Sequence, residues 1–171
     1  MTRKMEELLV DWEWQPVVKA LMAFRGFKVV AAMTMVGELG DLRRFRNAKQ
    51  LMAFLGLVPS EDSSGSKRRQ GSITRCGNHH ARWKLVECAK HYRLKPKVAP
   101  TLSRRQQGES TEVKALSWRA QNRLNEKHRR LTARKLHANK VTIAVARELS
   151  GFIWELMNKC EVMVTETAAA D

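Results

Sequence analysis

The stretch VTIAVARELSGFIWEL, residues 141–156, decides the fold, because its apolar side chains recur at the three- and four-residue spacing of an α-helix. These side chains form one broad face: Val141, Ala144, Val145, Leu149, Phe152, Ile153 and Leu156. A face of this width is typical of a helix that is covered by several neighbours. The pattern predicts a central core helix over about 140–158, with Asn139 as its N-cap.

The same spacing predicts helices in most of the chain before this stretch. A long helix is predicted from about Thr111, and shorter helices are predicted at about 1–11, 16–26, 28–36, 48–55 and from about 79. Pro16 suits the first turn of the second helix, Asn47 suits an N-cap, and the glycines from Gly37 onward are predicted to end the third helix. Tyr92 completes an apolar stripe, which favours core packing over a nucleophile's role. The fold class is therefore predicted to be mainly α.

Composition divides the chain into four predicted regions. Residues 1–93 form a helix-hairpin-helix-like region with a Ser-Gly loop and the helix that follows it. Residues 94–111, with prolines, glycine and arginines, are predicted to be a basic linker. Long helices follow over 112–158, and a disordered tail is predicted over 159–171.

Charge is concentrated in the middle of the chain. The formal net charge is +15, and residues 67–135 hold 20 Lys and Arg against 4 Asp and Glu. Such an excess favours a polyanionic partner, with nucleic acid the first candidate. No apolar stretch approaches the ~20 residues of a membrane span, so we expect no membrane partner and a cytoplasmic location. The three cysteines form no CxxC pair, and the five histidines lack the spacing of a zinc site.

Two segments have the composition of phosphate-binding elements. LMAFRGFKVVAA, residues 21–32, is typical of a helix-hairpin-helix, in which Gly26, Lys28 and the next helix's first amides face a phosphate. The alternative is that Gly26 only caps a helix. The predicted long helix also carries a basic flank suited to phosphate contacts: Arg119, Arg123, Lys127, Arg130 and Arg134. Trp83 and Trp118 lie among cations, where they would either stack on unpaired bases or pack half-buried.

The run GLVPSEDSSGSKRRQGSITRCGN, residues 56–78, is where composition changes abruptly to Ser, Gly and Arg. We expect an ordered functional loop here, with a short strand pair around Ile73. The run resembles the C-terminal domain of the IS-110 type insertion-sequence transposases (IS-110, IS-116, IS-902), whose loop has the form GLxPSExSSGGKRRxGxITKxGN. GELGDLRRF at 37–45, AKQL at 48–51 and AVAREL at 144–149 resemble the same family. Ser66 departs from the second glycine of the pattern.

The resemblance implies a recombinase in which the serine of a Ser-Gly pair attacks a DNA phosphate. Carried over by position, the nucleophile is Ser64 of Ser64-Gly65. Negative charge develops on the phosphate oxygens during such an attack, and cations of the same loop would stabilise it: Lys67, Arg68, Arg69 and Arg75. On the residues alone, an alternative stays open, in which Ser63 and Ser64 cap a turn and the cations merely bind phosphates.

The resemblance also implies partners. Family members look like two-part proteins whose N-terminal RuvC-like domain supplies carboxylates for Mg²⁺, and this chain is expected to lack that part. No metal or cofactor is therefore expected in the chain itself, and alone it is expected to be inactive. DNA and a structured guide RNA are the implied partners, together with a second copy of the chain or a full-length transposase. Two other hypotheses stay open: a non-catalytic nucleic-acid-binding module, and a decayed transposase fragment.

Overall fold

The structure, a computed structural model, describes residues 2–41, 44–64 and 67–168, with side chains over 4–41, 44–60 and 71–160. The fold is mainly α, as predicted. Its helices are α1 (Thr2–Leu9), α2 (Gln15–Met22), α3 (Val29–Leu39), α4 (Ala48–Phe54), α5 (His79–Ala89), α6 (Pro100–Arg105), α7 (Thr111–Ala133) and α8 (Ala138–Ala168). A 3-10 turn, Lys90–Arg93, continues α5. Strands β1 (Pro59–Ser64) and β2 (Lys67–Ile73) form an antiparallel pair.

Helix α8 is the central element of the core, which confirms the prediction from its apolar face. It packs against α2, α4, α5 and α7, and Val145, Leu149, Ile153 and Leu156 are fully buried. The helix begins at Ala138, so the prediction that Asn139 is the N-cap is wrong. The Asn139 amide donates to His137 Nδ1 at 3.2 Å. The α-helix continues to Ala168, through most of the segment predicted to be a tail, and residues 169–171 lie outside the described ones.

Helix α4 begins at Ala48, as predicted, and α2 begins at Gln15, one residue before the predicted start at Pro16. Pro16 lies in the first turn of α2, where its missing N–H costs no hydrogen bond. The Asn47 side chain accepts a hydrogen bond from the Gln50 amide at 3.1 Å and caps α4. The apolar stripe of α5 is buried as predicted, and Tyr92 is fully buried at its end. Burial raises the pKa of the Tyr92 phenol, which suits core packing and not nucleophilic attack.

Helix α3 runs through Gly37 and ends at Leu39, so the prediction that Gly37 ends the helix is wrong. The buried face of α3 extends to Leu39, and its packing outweighs the poor helix propensity of one glycine. Gly40, with φ +57°, is the residue that ends the helix. Gly37 itself is exposed, and a Cβ at this position would meet nothing within 4 Å.

Replacing Gly37 by alanine is expected to stabilise the fold by about 0.5–1 kcal/mol, because glycine in a helix interior loses more backbone entropy on folding than alanine does. The open space above Gly37 accepts the methyl group without a clash. Urea unfolding followed by circular dichroism measures the change. A loss of stability would show that the Cβ meets an obstacle after all.

Residues 94–111, predicted to be a basic linker, carry helix α6 and are fastened to the α2–α3 turn. The Arg25 guanidinium donates to the carbonyls of Leu94, Lys95 and Lys97 at 3.0, 2.9 and 2.8 Å. Arg105 donates to the Phe27 carbonyl. The composition of 94–111 is typical of a linker. Composition alone does not show that Arg25 and Arg105 bind main-chain carbonyls of the same chain. The division of the chain into four regions stays a prediction.

Candidate nucleic-acid interface

The run that carries the Ser-Gly pair folds as a two-stranded ribbon. The register pairs Pro59 with Ile73 at one end and Ser64 with Lys67 at the other. Ser64 is therefore the last paired residue of β1, and the connection formed by Gly65 and Ser66 lies outside the described residues. At ~3.3 Å per residue, Ser64 lies about 16 Å along the ribbon from Pro59. The strand pair expected around Ile73 is thus longer than predicted, with strands over Pro59–Ser64 and Lys67–Ile73.

Two glycines form the neck where the ribbon leaves the helices. Gly56 and Gly77 have φ values of +63° and +114°. A Cβ on Gly77 would be in hard contact with the Phe54 carbonyl oxygen, and one on Gly56 with that of Cys76. The two chain segments are joined by hydrogen bonds from the Asn78 amide to Phe54 (2.9 Å) and from the Arg75 amide to Gly56 (3.2 Å). Close backbone approach at the neck therefore requires glycine at both positions.

The ribbon separates the loop residues that sequence grouped together. Arg68 pairs in register with Ser63 and Arg69 with Asp62, so both lie near the Ser64 end, as Lys67 does. The side chains of Ser64, Lys67, Arg68 and Arg69, and all of Gly65, lie outside what the structure describes. Arg75 lies at the neck, beyond the other end of β2, with an unusual φ of +57°. The backbone therefore does not bring Arg75 together with Ser64.

Of the two residues predicted to contact phosphate in the turn between α2 and α3, Gly26 packs against α5 and Lys28 is exposed. Gly26 has φ +89°, and a Cβ there would lie 2.7 Å from the Cys88 carbonyl oxygen of α5. Its glycine is thus required by packing. Lys28 is exposed and begins α3 without a side-chain cap. The first amides of α3 and the Lys28 ammonium remain the part of the turn that suits an anion.

Further basic side chains surround this turn. Burial lowers the pKa of His91, and the charges of Arg25, Lys28, Arg93 and Arg105 lower it further. Lys28, His91 and Arg93 are exposed. They come from the turn and the 3-10 segment, more than 60 positions apart in sequence, so only the fold brings them together.

The basic flank of α7 is partly neutralised by α8. Arg123 and Lys127 donate to the Glu148 carboxylate at 2.6 and 2.7 Å, and Arg119 pairs with Glu155. Burial by itself would raise the pKa of Glu148, but hydrogen bonds from Lys127 and Arg123 outweigh it and lower that pKa. Three of the five cations predicted to contact nucleic acid are therefore held in ion pairs.

The other two cations, Arg130 and Arg134, lie towards the end of α7 and form no ion pair with these carboxylates among the described residues. Both are exposed. The sequence between Glu126 and Glu148 contains no acidic residue. The α7–α8 turn with Lys135, together with Lys140 in the first turn of α8, is therefore the most basic exposed part of this helical pair.

A hydrogen-bonded cluster that sequence did not predict joins α3 to the start of α5. The Glu38 carboxylate accepts a hydrogen bond from the Asn78 amide nitrogen at 2.7 Å, and His80 Nδ1 lies 3.1 Å from its other oxygen. These hydrogen bonds, that of Asn78 first, lower the pKa of Glu38. Asn78 also caps α5 by accepting from the Ala81 amide at 2.9 Å. No local pattern points to this cluster, because 40 residues separate Glu38 from Asn78.

Two classes of site are not found in the described part of the chain. No three His, Cys, Asp or Glu side chains there converge as metal ligands would. Within the same ranges, no helix has the length and hydropathy of a membrane span.

Comparison with known proteins gives one family and several relatives. The model of the transposase IS116/IS110/IS902 family matches residues 18–104. "Putative transposase y4qE" of Sinorhizobium fredii is 42% identical over 150 residues, which are 88% of this chain and 38% of that protein. The transposase for insertion sequence element IS1111A of Coxiella burnetii is 35% identical over 65 residues, 38% of this chain and 18% of that protein. The transposase for IS1328 of Yersinia enterocolitica is 29% identical over 90 residues, 53% of this chain and 26% of that protein. The chain thus spans less than half the length of these relatives.

Proposed function

Because the chain belongs to the IS116/IS110/IS902 transposase family, we propose that it acts in DNA transposition by presenting Ser64 as the nucleophile of strand exchange. The observation that carries the proposal is the register of the ribbon, in which Ser64 is the last paired residue before the Gly65-Ser66 connection. A residue at this end of a ribbon can reach into a duplex while the helices stay outside it. The Ser-Gly pair of the family pattern falls on this position.

The proposed reaction is a transesterification. The Ser64 hydroxyl oxygen attacks the phosphorus of a DNA phosphodiester, one P–O bond to a deoxyribose oxygen breaks, and that oxygen leaves as a hydroxyl group. A base or water takes the serine proton, and a proton is delivered in turn to the leaving oxygen; a second DNA hydroxyl later displaces the serine. Negative charge on the non-bridging oxygens is greatest in the transition state, so nearby cations accelerate the step. Lys67, paired in register with Ser64, and Arg68, next to it, suit this role.

The Mg²⁺ that family resemblance implies finds no ligand set in the described residues. We assign no step of the reaction in this chain to a metal. A carboxylate-bearing domain such as the RuvC-like part of the family would have to supply that chemistry from outside these residues. Copies of this chain, or a full-length transposase, are the corresponding protein partners in this proposal.

The exposed cations support binding to nucleic-acid backbone, in DNA or in a structured guide RNA. Lys28 and Arg93 form one basic surface, and the α7–α8 turn with Arg130 and Arg134 forms another. Ion pairing of Arg119, Arg123 and Lys127 means that a phosphate would have to displace Glu148 or Glu155 to reach them. We therefore propose Arg130 and Arg134 as the main phosphate-binding residues of α7.

Replacing Arg130 and Arg134 together by glutamine is expected to lower affinity for a 20-base-pair duplex about tenfold at about 0.1 M salt. The slope of log Kd against log salt is expected to fall by about 2, since each phosphate that a cation neutralises adds about 0.9 to it. The matched control is Arg119→Gln with Arg123→Gln, which removes the same net charge and is expected to cost about threefold or less. Fluorescence anisotropy with labelled DNA, repeated with folded RNA, measures both. Equal losses of affinity in the two double variants would contradict the assignment.

The role of Ser64 as nucleophile is tested by looking for a covalent adduct between protein and DNA. The wild type is expected to form the adduct, and Ser64→Ala is not. If DNA binds but no adduct forms under any condition in which relatives react, the second candidate stands: a non-catalytic nucleic-acid-binding module. The exposure of Arg130 and Arg134, away from the carboxylates of α8, is the observation that favours this alternative, because a binding module also needs such cations.

A further inference from the structure

A groove between α1, α3 and α5 lies beside the neck of the ribbon, and neither the helical core nor the proposed chemistry uses it. Its volume is about 550 Å³, within the ~300–1,000 Å³ that is typical of ligand sites. The residues that matter for its chemistry are Thr34, Gly37 and Glu38 of α3 and His80, Trp83 and Lys84 of α5.

Gly37 lines this groove at a position where nothing in the fold requires glycine. It lies inside α3, its φ is not positive, and a Cβ would meet nothing within 4 Å. Glycine in a helix interior is less favourable than alanine. Without a side chain at this position, another molecule can approach the backbone of α3 closely.

Trp83 forms a wall of the groove and is 53% exposed, although tryptophan in a helix usually buries most of its surface. The Lys84 ammonium lies over the indole, 4.1 Å from the ring centroid, and also 3.4 Å from Glu87. About half of the indole surface is thus open to solvent, but the Lys84 ammonium covers part of one face, and a base that stacks on that face would displace it. A flat, electron-poor ring would stack on it, as unpaired bases do on exposed aromatic side chains.

Glu38 supplies a hydrogen-bond acceptor at the end of the groove. Its carboxylate is oriented by Asn78 and His80, yet each carboxylate oxygen accepts more than one hydrogen bond. The remaining acceptor positions suit the N–H and NH₂ groups on the edge of guanine, cytosine or adenine. A carboxylate repels a phosphate, so the Glu38 end of the groove suits a base and not the backbone.

We propose that this groove binds one unpaired base of a nucleic acid, stacked on Trp83 over Gly37 with its amino edge towards Glu38. The inference rests on the proposed function in that it takes nucleic acid as the partner. It adds a contact to a base, where the cations contact only phosphates. Since the groove adjoins the ribbon's neck through Asn78, a base held there would place its strand alongside the ribbon.

The test uses the full 171-residue chain and a 2-aminopurine-labelled single strand of about 12 nucleotides, with a blunt duplex of the same sequence as the second probe. Trp83→Ala is expected to weaken single-strand binding about tenfold or more, because one base stack of ~1–3 kcal/mol is removed. It is also expected to abolish the quenching of 2-aminopurine and to change duplex binding less than about twofold. The matched control is Trp118→Ala, which removes another exposed tryptophan, 45% accessible, from α7.

A second variant keeps Trp83 and places a side chain in the groove at Gly37. Gly37→Leu introduces a side chain into open space and into a helix that tolerates leucine, so the fold is retained. It is expected to weaken single-strand binding as Trp83→Ala does. Unchanged single-strand affinity in both variants, or an equal loss of affinity with Trp118→Ala, would overturn the inference. If the variants still bind duplex DNA in a salt-dependent way, the proposed function stands without the groove. If the wild type binds no nucleic acid at low salt, the proposed function itself is refuted.

Discussion

Replacement of Ser64 by alanine is expected to abolish covalent attachment of the protein to DNA and to reduce recombination about a thousandfold or more, since loss of a serine nucleophile removes the reacting atom itself. The assay combines the chain with a carboxylate-bearing domain from a family member, as the proposed function requires. A suicide substrate with a nick next to the scissile phosphate traps the adduct, which denaturing gel electrophoresis and mass spectrometry then locate. DNA affinity of the alanine variant should stay within about twofold of wild type, because the cations that bind the backbone are unchanged.

Ser63→Ala is the matched control for this experiment. Ser63 precedes Ser64 in β1 and pairs with Arg68, and neighbouring residues of a strand as a rule project to opposite faces. The control variant is expected to keep most of the activity. If Ser64→Ala recombines like wild type while Ser63→Ala does not, the nucleophile has been assigned to the wrong serine. If both variants are active, the ribbon only binds DNA.

Replacement of Gly77 by alanine is expected to destabilise the fold by about 3 kcal/mol or more. A positive φ costs an L-residue ~1–2 kcal/mol, and forcing a methyl group into packed backbone adds ~1–3 kcal/mol. Gly77 has φ +114°, and its Cβ would be in hard contact with the Phe54 carbonyl. Because Asn78 next to it joins Phe54, Ala81 and Glu38 by hydrogen bonds, the neck of the ribbon is expected to open first.

Gly108→Ala separates the two contributions. Gly108 has a similar positive φ of +81°, but a Cβ there meets nothing within 4 Å. This variant is expected to lose only the conformational part, about 1–2 kcal/mol. Urea unfolding of both variants measures the difference, and hydrogen exchange of the β1 and β2 amides shows whether the ribbon opens locally. Equal losses of stability at Gly77 and Gly108 would mean that the neck relaxes around the methyl group.

Much of the helical fold could be predicted from sequence because buried apolar side chains recur every three to four residues along a helix. The apolar positions of α8 and α5 and the capping by Asn47 depend on residues within one or two turns of each other. Gly37 shows the limit of such local rules. The helix continues past this glycine because the buried face of α3 extends to Leu39. Arg25 and Arg105 show another limit, because their main-chain acceptors lie about 70 positions or more away.

By itself, the sequence determined the mainly helical fold, the basic character of the chain and the serine-bearing run that resembles the transposase family. Each of these depends on composition or on residues close together in the chain. Only the tertiary structure decided which cations remain available, because Glu148 and Glu155 of α8 lie against Arg119, Arg123 and Lys127 of α7. It also decided that Gly26 serves packing, that Arg75 lies at the opposite end of the ribbon from Ser64, and that Gly37, Glu38 and Trp83 share one groove. The physical reason is that ion pairs, close backbone approach and grooves join residues far apart in sequence, and the spacing of residue types does not encode those distances.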